Sequence, residues 1–270
     1  MSGYVFRVRK AHDGGMAIRT CLRRATTLGA ALLAGMLGAC APAWPAHNPA
    51  TWPGFVSGFE QERARFPAVP WAATVGFRVF DSHSGRAIEG RGAIAVAPGS
   101  AVRMILLGGA GTTVLDAWVA SDRWRVAIPP ARRVERGGSR SPIDLPVGFL
   151  RWWFVAPLSG ALLAATTTAS GPAWLLRDGL ATMELRSSTC GPDHTGHRIE
   201  ATRRQPGRKE RVVECQASST PTPGDRVGYV DLTNGLQVDV VIESIASAPP
   251  GGDAFRDPGD TGTDAPAAPL

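Results

Sequence analysis

The residues best suited to chemistry lie in one polar stretch in the last third of the chain. Cys190, His194 and His197 fall close together, and Glu214 and Cys215 follow after a basic segment. Two thiolates and two imidazoles could bind zinc. The cysteines, however, are far apart and lack the short Cys-x-x-Cys spacing of structural zinc sites. The sequence therefore predicts a disulfide between Cys190 and Cys215, and zinc binding stays the alternative.

Patterns typical of enzymes are absent from the sequence. It contains no Gly-x-Ser-x-Gly, no phosphate-binding loop, no His-Glu-x-x-His and no paired carboxylates. We therefore predict a protein that is not an enzyme, with no catalytic residue, no metal site and no cofactor.

The amino end carries a segment typical of a secretory leader. The apolar run 28–37 follows Arg19, Arg23 and Arg24, and small residues then lead to Cys40. The run is about half as long as the ~20 residues that a membrane-spanning helix needs. A transmembrane anchor is therefore not expected.

The residues Leu37-Gly38-Ala39-Cys40 resemble the lipobox of bacterial lipoproteins. That resemblance implies that residues 1–39 are removed as a signal peptide and that Cys40 is lipidated. The alternative is an ordinary signal peptide that is cut nearby. In an oxidising envelope, a disulfide between Cys190 and Cys215 would stabilise the fold by roughly 3 kcal/mol.

The charge of the chain changes when the leader is set aside. Residues 1–39 hold six of the 29 basic residues and one of the 23 acidic ones, which leaves 23 and 22 in the remainder. A nucleic-acid surface needs a concentrated basic excess. Nucleic acid is therefore not an expected partner.

The first half of the predicted domain, which spans residues 52–247, is a helix followed by strands. Residues 40–51 are rich in Pro and Ala and indicate a tether. Phe55, Phe59 and Phe66 lie on one side of a predicted helix over 54–66. Alternation with period two then predicts five antiparallel strands joined by short turns, at 75–79, 88–96, 102–106, 114–119 and 124–128.

The second half mixes apolar helical segments with further strands. A polar loop is predicted at 134–144, a helix at 145–158, and a second apolar helix or loop at 159–170. Asn234-Gly235 predicts a type I′ hairpin turn. The tail 248–270 carries Pro, Gly and Asp with almost no core-forming residues and is predicted to be disordered. The remaining strands are predicted near 173–176, 183–185, 199–201, 212–215, 229–232 and 236–242.

These elements predict a mainly β (α+β) fold. About ten antiparallel strands in one sheet twist and curl, and the two or three apolar helical segments must plug the concave face. The resulting cavity would suit a long apolar ligand, and the alternative is a core packed dry. The residues predicted to line the cavity or its lid are Phe77, Ile94, Met104, Leu106, Trp118, Trp124, Leu150, Trp153 and Phe154.

Three stretches resemble the outer-membrane lipoprotein LolB of the LolA/LolB-like family. They are a Trp-led helix at 52–66, an Arg-led strand with a Gly-containing hairpin at 103–113, and a Pro/Leu/Arg/Trp helix at 145–153 with a following turn at 156–158. The resemblance implies an unclosed half-barrel whose hydrophobic interior receives acyl chains of lipoproteins from a periplasmic carrier. It also implies a monomer, lipid-anchored at the periplasmic face of the outer membrane and acting in lipoprotein localisation.

One departure from the family concerns the hairpin that would touch the membrane. The family presents a leucine at its tip, whereas this chain has Ala110 between Gly109 and Gly111. A methyl group buries roughly 1–2 kcal/mol less than a leucine side chain, so the insertion step is the weakest implication. A structural envelope lipoprotein that uses the fold as a packed scaffold is the alternative.

Overall fold

The computed structural model describes residues 44, 48–138, 148–191 and 195–259. Cys40, the leader, residues 145–147 and His194 lie outside the described residues. The described part contains one helix of three turns, α1 (Trp52–Ala64), a short π-helix (Leu150–Val155) and a single antiparallel sheet.

The sheet has thirteen strands in one continuous ladder. Each strand pairs with its sequence neighbours, except that β6 and β7 do not pair and β1 pairs with β13 instead. β6 and β7 are thus the two edges, and the described strands do not close into a barrel. The strands are β1 (Trp71–Asp81), β2 (Arg86–Ala97), β3 (Ala101–Leu107), β4 (Thr113–Ala120), β5 (Arg123–Ile128), β6 (Arg133–Gly138), β7 (Ala161–Thr168), β8 (Gly171–Asp178), β9 (Ala181–Cys190), β10 (Gly196–Gln205), β11 (Arg208–Gln216), β12 (Arg226–Asp231) and β13 (Leu236–Ile245).

Side chains alternate between the two faces of each strand. The ones that form the buried core lie on the concave face of the sheet. In β1, for example, Val75 and Phe77 are buried and Arg78 is exposed. Gly90 and Gly92 lie on the same face of β2, opposite Phe77 and Val75. A Cβ at Gly92 would come within 2.3 Å of the Ile105 carbonyl oxygen, so a larger residue there would force the strands apart.

Both helices cover the concave face. Phe59 of α1 packs near Trp174 of β8, and the Trp174 indole donates a hydrogen bond to the Phe55 carbonyl oxygen at 3.0 Å. The π-helix belongs to the segment that joins the two edge strands, and it lies against β2, β3 and β4. The predicted unclosed half-barrel with plugging helices is therefore confirmed.

Several elements differ from the sequence prediction. The sheet has thirteen strands rather than about ten, because β6 forms at the start of the predicted loop and β7 replaces the predicted helix or loop at 159–170. Alternation is hidden in β7, whose Ala, Leu and Thr residues pair with β8. In the predicted helix at 145–158, the described part is helical from 148 and forms a π-helix, with Ala156 N donating to the Arg151 carbonyl oxygen at 2.9 Å.

The predicted tail and the predicted Asn-Gly turn also differ from the structure. Gly252–Phe255 forms a 3₁₀ turn within the tail that was predicted to be disordered, while residues 260–270 lie outside the described part. Asn234-Gly235 does turn the chain, but the connection spans residues 232–235. Gly235 has a φ of +69°, and Asp231 accepts hydrogen bonds from the backbone of Thr233 and Asn234.

Candidate ligand-binding site

Most of the residues predicted to line the cavity meet on the concave face. Phe154 is partly buried against the same apolar core. The members of this core that the sequence singled out are Phe77, Ile94, Met104, Leu106, Trp124, Leu150 and Trp153. The seven come from five different strands or helices, so the curvature of the sheet is what brings them together.

Trp118 differs from this set because it lies on the convex face. It pairs in register with Arg103 and Arg125, and the Arg123 guanidinium lies 5.3 Å from its ring centroid. Its indole donates a hydrogen bond to the Phe255 carbonyl oxygen at 2.8 Å. Trp118 is therefore buried by the tail of the chain, and the apolar positions of β4 that face the cavity side are its neighbours Ala117 and Val119.

Directed contacts hold the lid, which we define as residues 148–158, on the sheet. Gly99 N donates to the Val155 carbonyl oxygen at 2.7 Å, and Arg151 Nε donates to the Ala120 carbonyl oxygen at 3.0 Å. Phe149 stacks on the Tyr229 ring, with centroids 4.5 Å apart. The lid thus bridges the two halves of the sheet, since Gly99 and Ala120 belong to the first half and Tyr229 to the second.

A cavity of about 30 Å³ lies between the lid, the end of α1 and the central strands. Ligand pockets usually measure 300–1,000 Å³, so a long chain fits here only after the lid moves. Four prolines from four different connections line this cavity, namely Pro67, Pro98, Pro157 and Pro221. Since proline has no backbone N–H, they line it without adding donors that would need partners.

Glu214 is a buried acid in the wall of this cavity. It accepts a hydrogen bond from the Trp153 indole at 2.8 Å and one from the Gln216 amide at 2.6 Å. Burial raises the pKa of Glu214 to about 7, against the lowering effect of these two hydrogen bonds, and the nearby Asp225 raises it further. The carboxyl group is therefore divided between its charged and neutral forms near neutral pH.

A second buried polar group lies beside Phe149. The Tyr229 hydroxyl donates to Glu210 Oε1 at 2.8 Å and accepts from Arg208 Nη2 at 3.1 Å. Arg208 also lies 3.3 Å from Asp231 Oδ2. Burial raises the pKa of the Tyr229 phenol, so this group stays neutral and the charges around it are paired. The arrangement fixes the platform on which the lid begins.

A third polar group attaches α1 to the sheet. Ser187 Oγ donates to Glu62 Oε1 at 3.0 Å, and His197 Nε2 lies 2.7 Å from Glu62 Oε2. In a Ser-His-acid triad the serine bonds the histidine, whereas here both contact the carboxylate. A groove of about 420 Å³ runs beside this group, along α1 and Trp174.

The polar stretch that the sequence singled out is divided among three roles. Cys190 and Cys215 form a disulfide across β10, where Gly196 leaves room for the Cys190 sulfur. His197 contacts α1, and Glu214 faces the cavity. Among the described residues, no three ligand-type side chains gather into a possible metal site. The hairpin residues Gly109, Ala110 and Gly111 are exposed at the β3–β4 turn.

Sequence reasoning did not assign Glu62, Glu210 or Glu214 to the concave face. The signal was present in β11, because Glu210, Glu214 and Gln216 share the phase of Val212, which is fully buried. A strict period-two reading would have placed these acids inward.

Comparisons with known proteins give structural likenesses only. No family model matches the chain, and no curated protein matches it. A LolA superfamily protein from Nitrosomonas europaea aligns at 12% identity and a TM-score of 0.48, over 73% of this chain and 95% of that protein. An outer membrane lipoprotein-sorting protein domain from Vibrio parahaemolyticus aligns at 10% identity and a TM-score of 0.40, over 74% and 95% respectively.

The architecture agrees with the LolA/LolB-like fold that the sequence resemblance implies. It has the unclosed antiparallel sheet, the helix before the first strand and the lid that crosses the concave face. Within the described residues, no helix has the length and apolar character needed to span a membrane.

Proposed function

We propose that this protein binds acyl chains between its lid and the concave face of its sheet, and acts in the localisation of lipoproteins to the outer membrane. The observation that carries the proposal is an apolar concave face covered by a lid whose buried side chains are themselves apolar. A chain that entered between the lid and the sheet would give both apolar surfaces a new apolar neighbour, so the hydrophobic free energy lost between them would be regained against the ligand.

The proposed location follows from the sequence rather than from the cavity. A lipid on Cys40 would hold the domain at the periplasmic face of the outer membrane, with residues 40–51 as the tether. A periplasmic carrier would deliver the acyl chains. Binding rather than catalysis is proposed, because the Ser187 and His197 side chains are both engaged with Glu62.

Displacement of a fluorescent fatty-acid probe by a diacylated lipopeptide tests the binding step. We expect purified, unlipidated protein to bind the probe and to release it to the lipopeptide. Replacing Leu150, which is fully buried in the lid, by Asp should abolish binding. The matched control is Leu163→Asp, because Leu163 is exposed on β7. Absence of probe binding by the wild-type protein would refute the proposal.

Two experiments in cells test location and role. Cys40→Ser should release the domain from the membrane fraction, and continued tight association would mean that another part of the chain anchors it. Depletion should misplace other lipoproteins. Normal sorting after depletion would contradict the transport role and favour a scaffold that uses the same fold.

A further inference from the structure

Among the described residues, the hydrogen bond from Trp153 of the lid to Glu214 is a polar contact of the cavity wall that lid movement would break. Three residues that line the cavity carry carboxyl or amide side chains, namely Glu214, Gln216 and Asp225. The two Asp225 oxygens accept from the backbone N–H groups of Ala217 and Thr222, at 2.9 and 2.8 Å. Both donors precede Asp225 in the same β11–β12 loop, so Asp225 keeps its partners when the lid moves.

Glu214 is different because its two oxygens are bonded to two different elements. Oε1 accepts from Gln216, which is two residues away on the same strand. Oε2 accepts from Trp153, which belongs to the lid. Lid movement therefore leaves Oε2 without its donor in an apolar wall. A buried acceptor without a partner is costly, and a ligand that supplies a donor removes that cost.

We propose that Glu214, supported by Gln216, is the polar anchor of the cavity, where it exchanges the Trp153 indole for an amide N–H or hydroxyl group beside the acyl chain of the ligand. This assignment rests on the proposed function. It narrows the ligand to a neutral acyl compound whose head carries a hydrogen-bond donor.

The charges that line the cavity narrow the ligand class further. Glu214 and Asp225 are both acids, and no basic side chain lines the cavity within the described residues. A free fatty-acid carboxylate would lie close to like charge and would be repelled. An ester without a donor would leave Oε2 of the ionised Glu214 without a partner, so the comparison is made at pH 8, above the pKa of about 7 of this group. A fatty amide or a fatty alcohol avoids both the repulsion and the unpaired acceptor.

Two ligands of equal chain length test the inference, namely dodecanamide, which has a donor, and methyl dodecanoate, which does not. Both would displace 1-aminoanthracene from the full chain carrying Cys40→Ser, produced without export and oxidised to form the Cys190–Cys215 disulfide. We expect the wild-type cavity to bind the amide about tenfold more tightly, which corresponds to one hydrogen bond.

Glu214 variants show whether this residue causes the preference. Glu214→Leu should bind both ligands equally and retain binding of the ester. Glu214→Gln should weaken the preference, because its amide N–H can also donate to the ester carbonyl, and this variant carries the test if Glu214→Leu does not fold. The matched control is Glu243→Leu, since Glu243 lies on β13 and pairs with Arg91 at 3.1 Å, away from the cavity lining.

The contrary outcomes separate the inference from the function on which it rests. Equal binding of amide and ester by the wild-type protein overturns the inference and leaves acyl binding intact. A preference that survives in Glu214→Leu overturns it as well. Failure of both ligands and the probe to bind refutes acyl binding and the inference together.

Discussion

Glu214 is an acid whose burial opposes its charge. Its pKa of about 7 in the folded protein compares with 4.5 for an ordinary glutamate. The folded state therefore holds this proton more tightly than the unfolded state between those two values. Because the folded pKa is the higher one, the free energy of unfolding falls as the pH rises from 4.5 to 7, and the loss is complete above pH 7.

Glu214→Gln should remove this loss, because an amide keeps a hydrogen-bond acceptor for Trp153 and does not ionise. We expect the variant to be more stable than the wild type at pH 8, by up to about 3 kcal/mol, and nearly equal to it at pH 4.5. Urea unfolding across this pH range measures the effect. Glu243→Gln is the control, and a Glu214→Gln variant no more stable than wild type at pH 8 would contradict the prediction.

Trp152 and Trp153 are adjacent, both are buried, and they differ in their hydrogen bonds. Trp153 donates to Glu214, whereas the structure gives the Trp152 indole N–H no partner among the described residues. Trp153→Phe should therefore cost about 1–3 kcal/mol more than Trp152→Phe, because it leaves Glu214 without a donor. It should also speed probe binding, since one lid contact is gone.

Urea unfolding and stopped-flow fluorescence check the tryptophan pair. Each variant loses an indole of the same size, so the difference between them isolates the hydrogen bond. Equal losses of stability in the two variants would mean that the Trp153–Glu214 contact does not hold the lid.

At the scale of elements, one acid on the inner side of α1 helps to hold this helix on the sheet, together with the Trp174 hydrogen bond to Phe55. Glu62 contacts Ser187 and His197 and is buried, whereas Glu60 pairs with Arg63 at the exposed surface. Glu62→Ala should cost about 1–3 kcal/mol, because two polar side chains lose their partner. Glu60→Ala should change stability by no more than about 0.5 kcal/mol.

The two glutamates share a helix and a substitution, so helix propensity cancels between them. Thermal and urea unfolding give the comparison. A cost for Glu62→Ala no larger than that for Glu60→Ala would show that the apolar contacts of Phe59 hold α1 without help from the polar group.

The strands could be predicted where alternation was visible. The lid could be located in the sequence, but its π-helical conformation could not be predicted. Val75 and Phe77 alternate with exposed residues, which fixes β1 and its inward face from the sequence. β7 was missed because its Ala and Thr residues give no clear period. The π-helix depends on a backbone bond from Ala156 to Arg151, and single-sequence periodicity does not distinguish that bond from the usual one.

The position of Trp118 could not be predicted because it depends on a distant part of the chain. A tryptophan within an apolar strand is usually a core residue, and this one is buried as expected. Its cover is the tail at Phe255, however, rather than the lid. The contact between residues 250–259 and Trp118 is what buries this tryptophan on the convex face, and the sequence does not show the path of that tail.

At the scale of the whole molecule, the tail acts as a cover on the convex face. Removal of residues 250–270 should expose Trp118 and lower the free energy of unfolding by about 1–3 kcal/mol. Acrylamide quenching should increase, and Trp118→Phe in the shortened chain should abolish that increase. A chain that ends at Gly259 keeps Phe255 and is the control. Unchanged quenching in the shorter chain would contradict the contact.

The pairing of β1 with β13 has a consequence for the order in which the domain can assemble. These strands form the middle of the sheet although they lie at opposite ends of the domain's sequence, as in the pair Phe77 and Val240. Such contacts between distant residues close late, since the intervening chain must first be ordered. Until β13 pairs with β1, strands β1–β6 and strands β7–β12 form separate sheets with exposed edges. A protein threaded across a membrane from its amino end would therefore gain its concave surface only with its last strand.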